Sequence, residues 1–417
     1  MRRLIAIALV WLGCTVAWLI LGSTLLVRSD ETLSRLGDGV SALWGPAMRQ
    51  LPPRAFVTDR STPPAAPAES PPVSVPLSGS EIDVTLDLEH RKKGLVWFPT
   101  YAVDFRARYA FVNPEAAPRE VSFELPLEAE HALYDGFEVS EQGKAVAAEV
   151  TQGVARWTAT LGPNERRAYD VRYRSRGTSK WQYDLTAGTG SVRDFRLSLA
   201  TDFDQVNFLP GTLSPSTHQS TGAGWRGTWE FSTLVASSPI GLSLPERLNP
   251  GPLASKITFF APVSLLFFFF VVAILAHAKQ KRLHPLHYLF IGCAFFAFHL
   301  LFAYLVDHVS IAPSFSIAAI VSIALVISYA RLFVGWRFAL LEIGVSQLLY
   351  LVLFSFTFFF AGFTGLAITI GAIVTLFVLM QITGRRDLSD DSADPRAVCA
   401  QPYRCAAVRE AGATPIT

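Results

Sequence analysis

At 417 residues the chain has room for two or three domains, and only 17% of its residues are charged, below the quarter usual in soluble proteins. A formal net charge of +2 supplies no basic surface for nucleic acid. The charge deficit is local: residues 28–256 are normally charged and 257–384 almost free of charge, which excludes a wholly soluble protein.

The first element is the charge-free run 4–27, long enough for a helix across roughly 30 Å of hydrocarbon. It is longer than a signal-peptide core and ends in LLVRSDE without a small-residue exit, so a retained anchor over 1–28 is expected. Residues 29–80 then form a stem. Leu33, Leu36, Val40 and Leu43 fall on one helical face behind Asp30 and Glu31, which fits an amphipathic surface helix or a plain stem helix. Eight prolines between 52 and 76 predict an extended spacer without ladder pairing.

From 81 to about 245 the apolar period is two, within a β-rich domain expected over 81–255. Ile82, Val84, Leu86 and Leu88 alternate with Asp83, Thr85 and Asp87, and the same pattern runs through Tyr101–Phe111, Val121–Leu125, Tyr169–Tyr173 and Phe195–Leu199. Turn signals such as Asn113-Pro114, Gln142-Gly143, Gln152-Gly153 and Gly162-Pro163-Asn164 punctuate it. One buried face per strand with short turns predicts an antiparallel, β-sandwich-like domain.

Five more apolar runs follow, near 257–277, 286–306, 312–333, 339–360 and 365–384, inside a membrane domain spanning 256–386. Six spans put both termini on one side. Nine basic residues fall on that side: Arg2, Arg3, Lys279, Lys281, Arg282, Arg331, Arg337, Arg385 and Arg386. The opposite connections 307–311 and 361–365 contain none, leaving Arg28 and Lys256 as the exceptions. The positive-inside rule therefore predicts cytoplasmic termini and an exported segment 28–256. The tail 387–417, with four aspartates before a run of small residues, reads as disordered.

No enzyme motif emerges. Gly222, Gly224 and Gly227 spell G-x-G-x-x-G but lack the strand before and helix after that a dinucleotide site needs. His90, His131 and His218 are scattered, His284 and His287 have no further ligands nearby, and Cys399 and Cys405 read as tail thiols, so no metal or other cofactor is expected. Polar residues inside apolar runs carry more information, because each needs a partner in hydrocarbon. His299 lies mid-span, Asp307 at its exit, and Glu342 and Gln347 in the fifth span. Eight residues from His299 to Asp307 turn a helix by about 80°, so both can share a face. They are candidates for a proton- or ligand-responsive site; the competing reading is interhelical hydrogen bonding that fixes the bundle.

Three segments carry a family resemblance. VRSDETLSRLGDGVSALWGPAMRQLPP holds Trp44, Gly45, Gln50 and Pro52 in a WG…Q…P stem; SPIGLSLPERLNPGPLASKITFFAPVSLLFFFF leads into the second span; and HPLHYLFIGCAFFAFHLLFAYLVDHVSIAPSFSIAAIVS is the densest match, followed by LLYLVLFSFTFFF and LMQITGRRDL. The chain thus resembles the CreD family of bacterial inner-membrane proteins associated with cell-envelope integrity. Where that family carries an acidic stretch between the last two spans, this chain has FFFAGFTGL. The resemblance implies a role in envelope maintenance or stress, no reaction, and no catalytic residue. The expectation is a non-enzymatic multi-pass inner-membrane protein whose exported domain binds a periplasmic protein or other envelope component. Alternatives are a transporter or channel subunit with a polar path through spans two to six, and a sensor signalling through its tail.

Overall fold

A computed structural model describes residues 2–58, 73–127, 132–185, 191–235, 238–281, 283–360 and 362–384. Much of the proline-rich spacer, His131, Arg282, Arg385, Arg386 and the tail with Cys399 and Cys405 therefore lie outside the described residues.

Six helices are long and apolar enough to cross a membrane. They are α1 Arg2–Trp44, α2 Pro250–Ala278, α3 Pro285–Leu305, α4 Ile311–Val334, α5 Trp336–Phe359 and α6 Thr364–Gly384. Each covers a run anticipated from its lack of charge. Helix α2 begins seven residues before its charge-free run, at Pro250, because a proline at the first helical position has no missing partner and is preset at helical φ. Helix α5 is irregular, with π-helical turns at Ala339–Gly344 and Leu348–Leu353.

Residues 29–44 of the stem continue α1. It is one unbroken helix of 43 residues, about 64 Å at 1.5 Å per residue and roughly twice the hydrocarbon thickness. Of the expected apolar face, Val40 is buried, whereas Leu43 stays exposed.

The strands in chain order are β1 Met48–Gln50, β2 Arg54–Val57, β3 Leu77–Lys93, β4 Val96–Val112, β5 Arg119–Pro126, β6 Tyr134–Glu141, β7 Lys144–Val146, β8 Glu149–Thr151, β9 Val154–Leu161, β10 Arg166–Thr178, β11 Lys180–Tyr183, β12 Val192–Thr201, β13 Asn207–Phe208, β14 Thr217–Ser220, β15 Trp225–Leu234 and β16 Ile240–Ser243. They form an eight-stranded sheet in the order β14-β15-β12-β3-β4-β10-β6-β7 and two four-stranded sheets, β1-β11-β16-β13 and β2-β5-β9-β8. One continuous core joins residues of all three. Alternation works as expected: Ile82, Val84 and Leu86 are buried while Asp83, Thr85 and Asp87 face water. Phe123 sits in the core stacked on Trp157 at 5.5 Å and edge-on to Phe111 at 5.1 Å.

Two expectations are corrected here. Most pairings are antiparallel, but β12–β3 and β1–β11 are parallel, because strands distant in sequence insert beside the long β3–β4 hairpin and beside β11. The spacer is also shorter than its prolines implied. Arg54–Val57 contains no proline and pairs with β5; Val73 and Val75 then add backbone bonds to Val57 and Ala55. The β domain thus starts at Met48. The G-x-G-x-x-G segment lies in the hairpin between antiparallel β14 and β15.

By its internal contacts the chain divides into two compact units. One contains Met1–Trp18, Phe259–Phe298 and Ala319 onward; the other contains Leu19–Thr258, with the whole β domain, and His299–Ala318.

Candidate functional site

The intramembrane polar residues are placed first by where their helices end. Helix α3 stops at Leu305, so Asp307 sits in a turn beyond it and helical rotation counted from His299 does not reach it. His299 is 1% exposed. Asp307 instead pairs with Arg28 of α1 at 2.9 Å, both side chains about two-fifths exposed. Arg28 also donates to the Ala303 carbonyl at 3.2 Å and lies over the Tyr304 ring. It clamps the end of α3 to α1.

In the other unit, Glu342 accepts from Lys279 at 3.1 Å through Oε1, and its buried Oε2 has no hydrogen-bond partner among the described residues. Gln347 is fully buried. Its Nε2 donates to Ser322 Oγ at 2.9 Å, and that hydroxyl donates to the Ala294 carbonyl at 2.7 Å, linking α5, α4 and α3. Ser264 bonds the Tyr350 carbonyl, and Trp11 Nε1 donates to the Pro262 carbonyl at 2.9 Å. Lys279, Gln347, Ser322, Ser264 and Trp11 each bond across helices, which offsets part of the cost of desolvating them. Asp307, Glu342 and Gln347 thus each have a different partner.

His287 bonds Tyr329 at 3.0 Å and stacks on Phe333. His90 bonds the Pro245 carbonyl at 2.9 Å, and His218 lies exposed on β14. No group of three metal-ligating side chains occurs among the described residues.

The stem residues converge far more tightly. Helix α1 ends at Trp44, whose ring is held between the Arg91 and Arg176 guanidinium groups at 3.4 and 4.5 Å from its centroid. Gly45 has φ +133°, and a Cβ there would collide with the Arg176 carbonyl oxygen, so only glycine lets the chain turn off the helix this close to β10. The Gly45 carbonyl accepts from Thr178 Oγ1 at 3.2 Å, and the Pro46 carbonyl from the Thr178 N–H, also at 3.2 Å. The chain then enters β1.

Gln50 is 1% exposed. Its Nε2 donates to the carbonyls of Leu51 at 2.7 Å and Pro126 at 3.2 Å, and its Oε1 accepts from Tyr173 Oη at 2.6 Å. One amide therefore ties β1, the end of β5 and β10 together. Tyr101 Oη accepts from the Met48 N–H at 3.2 Å and donates to the Lys180 carbonyl at 2.9 Å; Arg49 pairs with Asp184 through Nε at 2.8 Å. Pro52 is buried directly after β1. Trp44, Gly45, Gln50 and Pro52 act as a latch that welds α1 into the β domain.

Burial pushes the phenols of Tyr101, Tyr109, Tyr173 and Tyr183 well up, since a tyrosinate could not be solvated there. Burial, with Asp202 and Asp104 nearby, also raises Asp87. Glu165 is held low by the Gly162 N–H and then Arg167.

Sequence reasoning finds the latch residues only through a resemblance and misses their partners Thr178 and Tyr173, which look like ordinary strand residues. Arg28 is visible beforehand, as one of two cations that break the charge asymmetry.

Residues 253–389 match the family model described as Inner membrane protein CreD. No curated protein matches the chain. Among solved structures, a Legionella pneumophila protein provisionally described as nutrient binding aligns at 13% identity over 55% of this chain and 82% of its own, with a TM-score of 0.32. An M1 zinc metallopeptidase from Deinococcus radiodurans aligns at 11% over 37% of this chain and 38% of its own, with a TM-score of 0.22. Such scores carry no argument about fold or activity.

Proposed function

We propose, from the premise that residues 253–389 are those of a CreD-family inner membrane protein, that the chain is a non-enzymatic component of envelope maintenance. In this reading both termini are cytoplasmic and residues 28–256 are periplasmic. One N-terminal and five C-terminal spans anchor a β-sandwich-like domain that binds a protein or other component of the envelope.

The observation that carries the reading is the latch. Helix α1 is unbroken from Arg2 to Trp44, and its end is fixed into the domain through Gly45 and Gln50. A load taken up by the domain therefore acts directly on a helix of membrane-spanning length. A tether meant only for retention needs no such joint.

A transport path would need its polar side chains to converge. Asp307 engages Arg28, Glu342 engages Lys279 and Gln347 engages Ser322, which supports a structural role for these groups. The sensor alternative depends on the tail 387–417, and loss of that tail without phenotype would argue against it.

In-cell photo-crosslinking from exposed positions of the β domain tests the proposal. One or a few envelope proteins or glycans should be captured reproducibly. Capture no greater than that of a scrambled domain on the same helices would sink it.

A further inference from the structure

A cavity of about 290 Å³ lies where α1, α2, the end of α3 and the tip of the β3–β4 hairpin meet. Its place follows from sequence. Arg28 directly follows the charge-free run of α1, Pro250 opens α2, and Asp307 follows the end of α3, so the walls are three span ends at a polar–apolar boundary. Leu33, Leu36, Leu95 and Val306 make part of the lining apolar; Arg28, Ser29, Thr32, Asn249 and Asp307 supply the polar part.

Three observations make this a built site. Ser29 is 7% exposed, yet its hydroxyl has no hydrogen-bond partner among the described residues. Gly251 is packed so closely on α1 that a Cβ would collide with the Ser29 hydroxyl. Prolines at 250 and 252 have no N–H, so between them the first turn of α2 offers the Gly251 N–H. The hairpin wall is fixed too, because Asn249 accepts from the Trp97 N–H at 2.8 Å and donates to its carbonyl at 3.0 Å.

Among the described lining residues the charges are one cation and one anion, Arg28 and Asp307, 2.9 Å apart and both partly solvated. Arg28 has five N–H donors, and its bonds to the Ala303 carbonyl and to Asp307 both run through Nη2; a carboxylate accepts from several donors at once. A zwitterion carrying a phosphate and a primary ammonium matches this pair group for group. We propose that the cavity binds the phosphoethanolamine headgroup of a bilayer lipid. Its phosphate engages Arg28, the Ser29 hydroxyl and the Gly251 N–H, and its ammonium engages Asp307. The apolar lining takes the first carbons of the chains.

The test uses the full-length protein in mild detergent, given equal amounts of phosphatidylethanolamine, phosphatidylglycerol and phosphatidylcholine with identical chains, with retained lipid counted by native mass spectrometry. Phosphatidylethanolamine should be retained in preference to both others. Arg28→Gln should lower its retention about tenfold, the scale of one lost charge-assisted hydrogen bond. Asp307→Asn should abolish the preference over phosphatidylglycerol, and Arg35→Gln, which removes a charge outside the cavity, should change neither. For a variant that fails to fold, hydrogen exchange of Gly94–Val96 in the native protein replaces it; exchange should be slower in phosphatidylethanolamine than in phosphatidylcholine nanodiscs. Equal retention of the three lipids by the native protein, or an unchanged preference in Asp307→Asn, overturns the assignment. Equal binding of soluble glycerophosphoethanolamine would assign the site to a soluble phosphoamine and overturn the lipid.

Discussion

Gly45 and Gln50 show how much one residue can hold at the joint between a helix and a sheet. Gly45→Ala places a side chain at φ +133° against the Arg176 carbonyl, and backbone strain of this kind costs about 1–3 kcal/mol before the clash is counted. The β domain should melt several degrees lower, read by the near-ultraviolet signal of its buried aromatic residues. Gln50→Leu leaves Tyr173 Oη and the Pro126 carbonyl without their amide, at about 1–3 kcal/mol for each buried group left unpaired. The buried tyrosines set a pH limit. Their folded pKa values are raised above an unfolded value near 10, so the native state holds protons that the unfolded state has released. Their stabilisation is complete below pH 10 and declines above it, by about 1.4 kcal/mol per tyrosine per pH unit. Denaturant midpoints should hold level from pH 8 to 9.5 and then fall; a flat profile to pH 11.5 would contradict the burial of these phenols.

Elements are held together by polar bonds of different worth. The Ser322–Gln347 bond is buried and links three helices, so Ser322→Ala should destabilise the helical part by about 0.6–1.7 kcal/mol, measurable in a detergent melt. The Lys279–Glu342 pair has a lysine more than half exposed. Lys279→Gln should therefore shift that melt by less than about 1 kcal/mol. Helix α1 presents the opposite case from a flexible tether. Its rigidity ends in hydrogen bonds from Thr178 to Gly45 and Pro46, not in a hinge.

For the whole molecule, the charge asymmetry makes a prediction that labelling can check. With all four native cysteines, Cys14, Cys293, Cys399 and Cys405, replaced by alanine, a cysteine at Ser310 should react with an impermeant maleimide on intact spheroplasts, and one at Gln280 only after permeabilisation. The reverse pattern would overturn the orientation. Much of this plan is legible in the chain itself. A helix in hydrocarbon must satisfy its own backbone, so runs of about twenty apolar residues with few or no charges suffice to mark α2 to α6, and a period of two marks the strands because alternate side chains leave a sheet on opposite faces. Both are local rules. What they miss is long-range: the parallel insertion of β1 beside β11, the pairing of Arg54–Val57 inside a proline-rich stretch, and the choice of Arg28 as partner for Asp307. Which segments enter lipid, and which face of each strand is greasy, can be read from the chain alone, because solvation acts residue by residue. The latch on the stem, the separate partners of Asp307, Glu342 and Gln347, and the cavity among three span ends come from the fold, because those depend on which distant atoms meet.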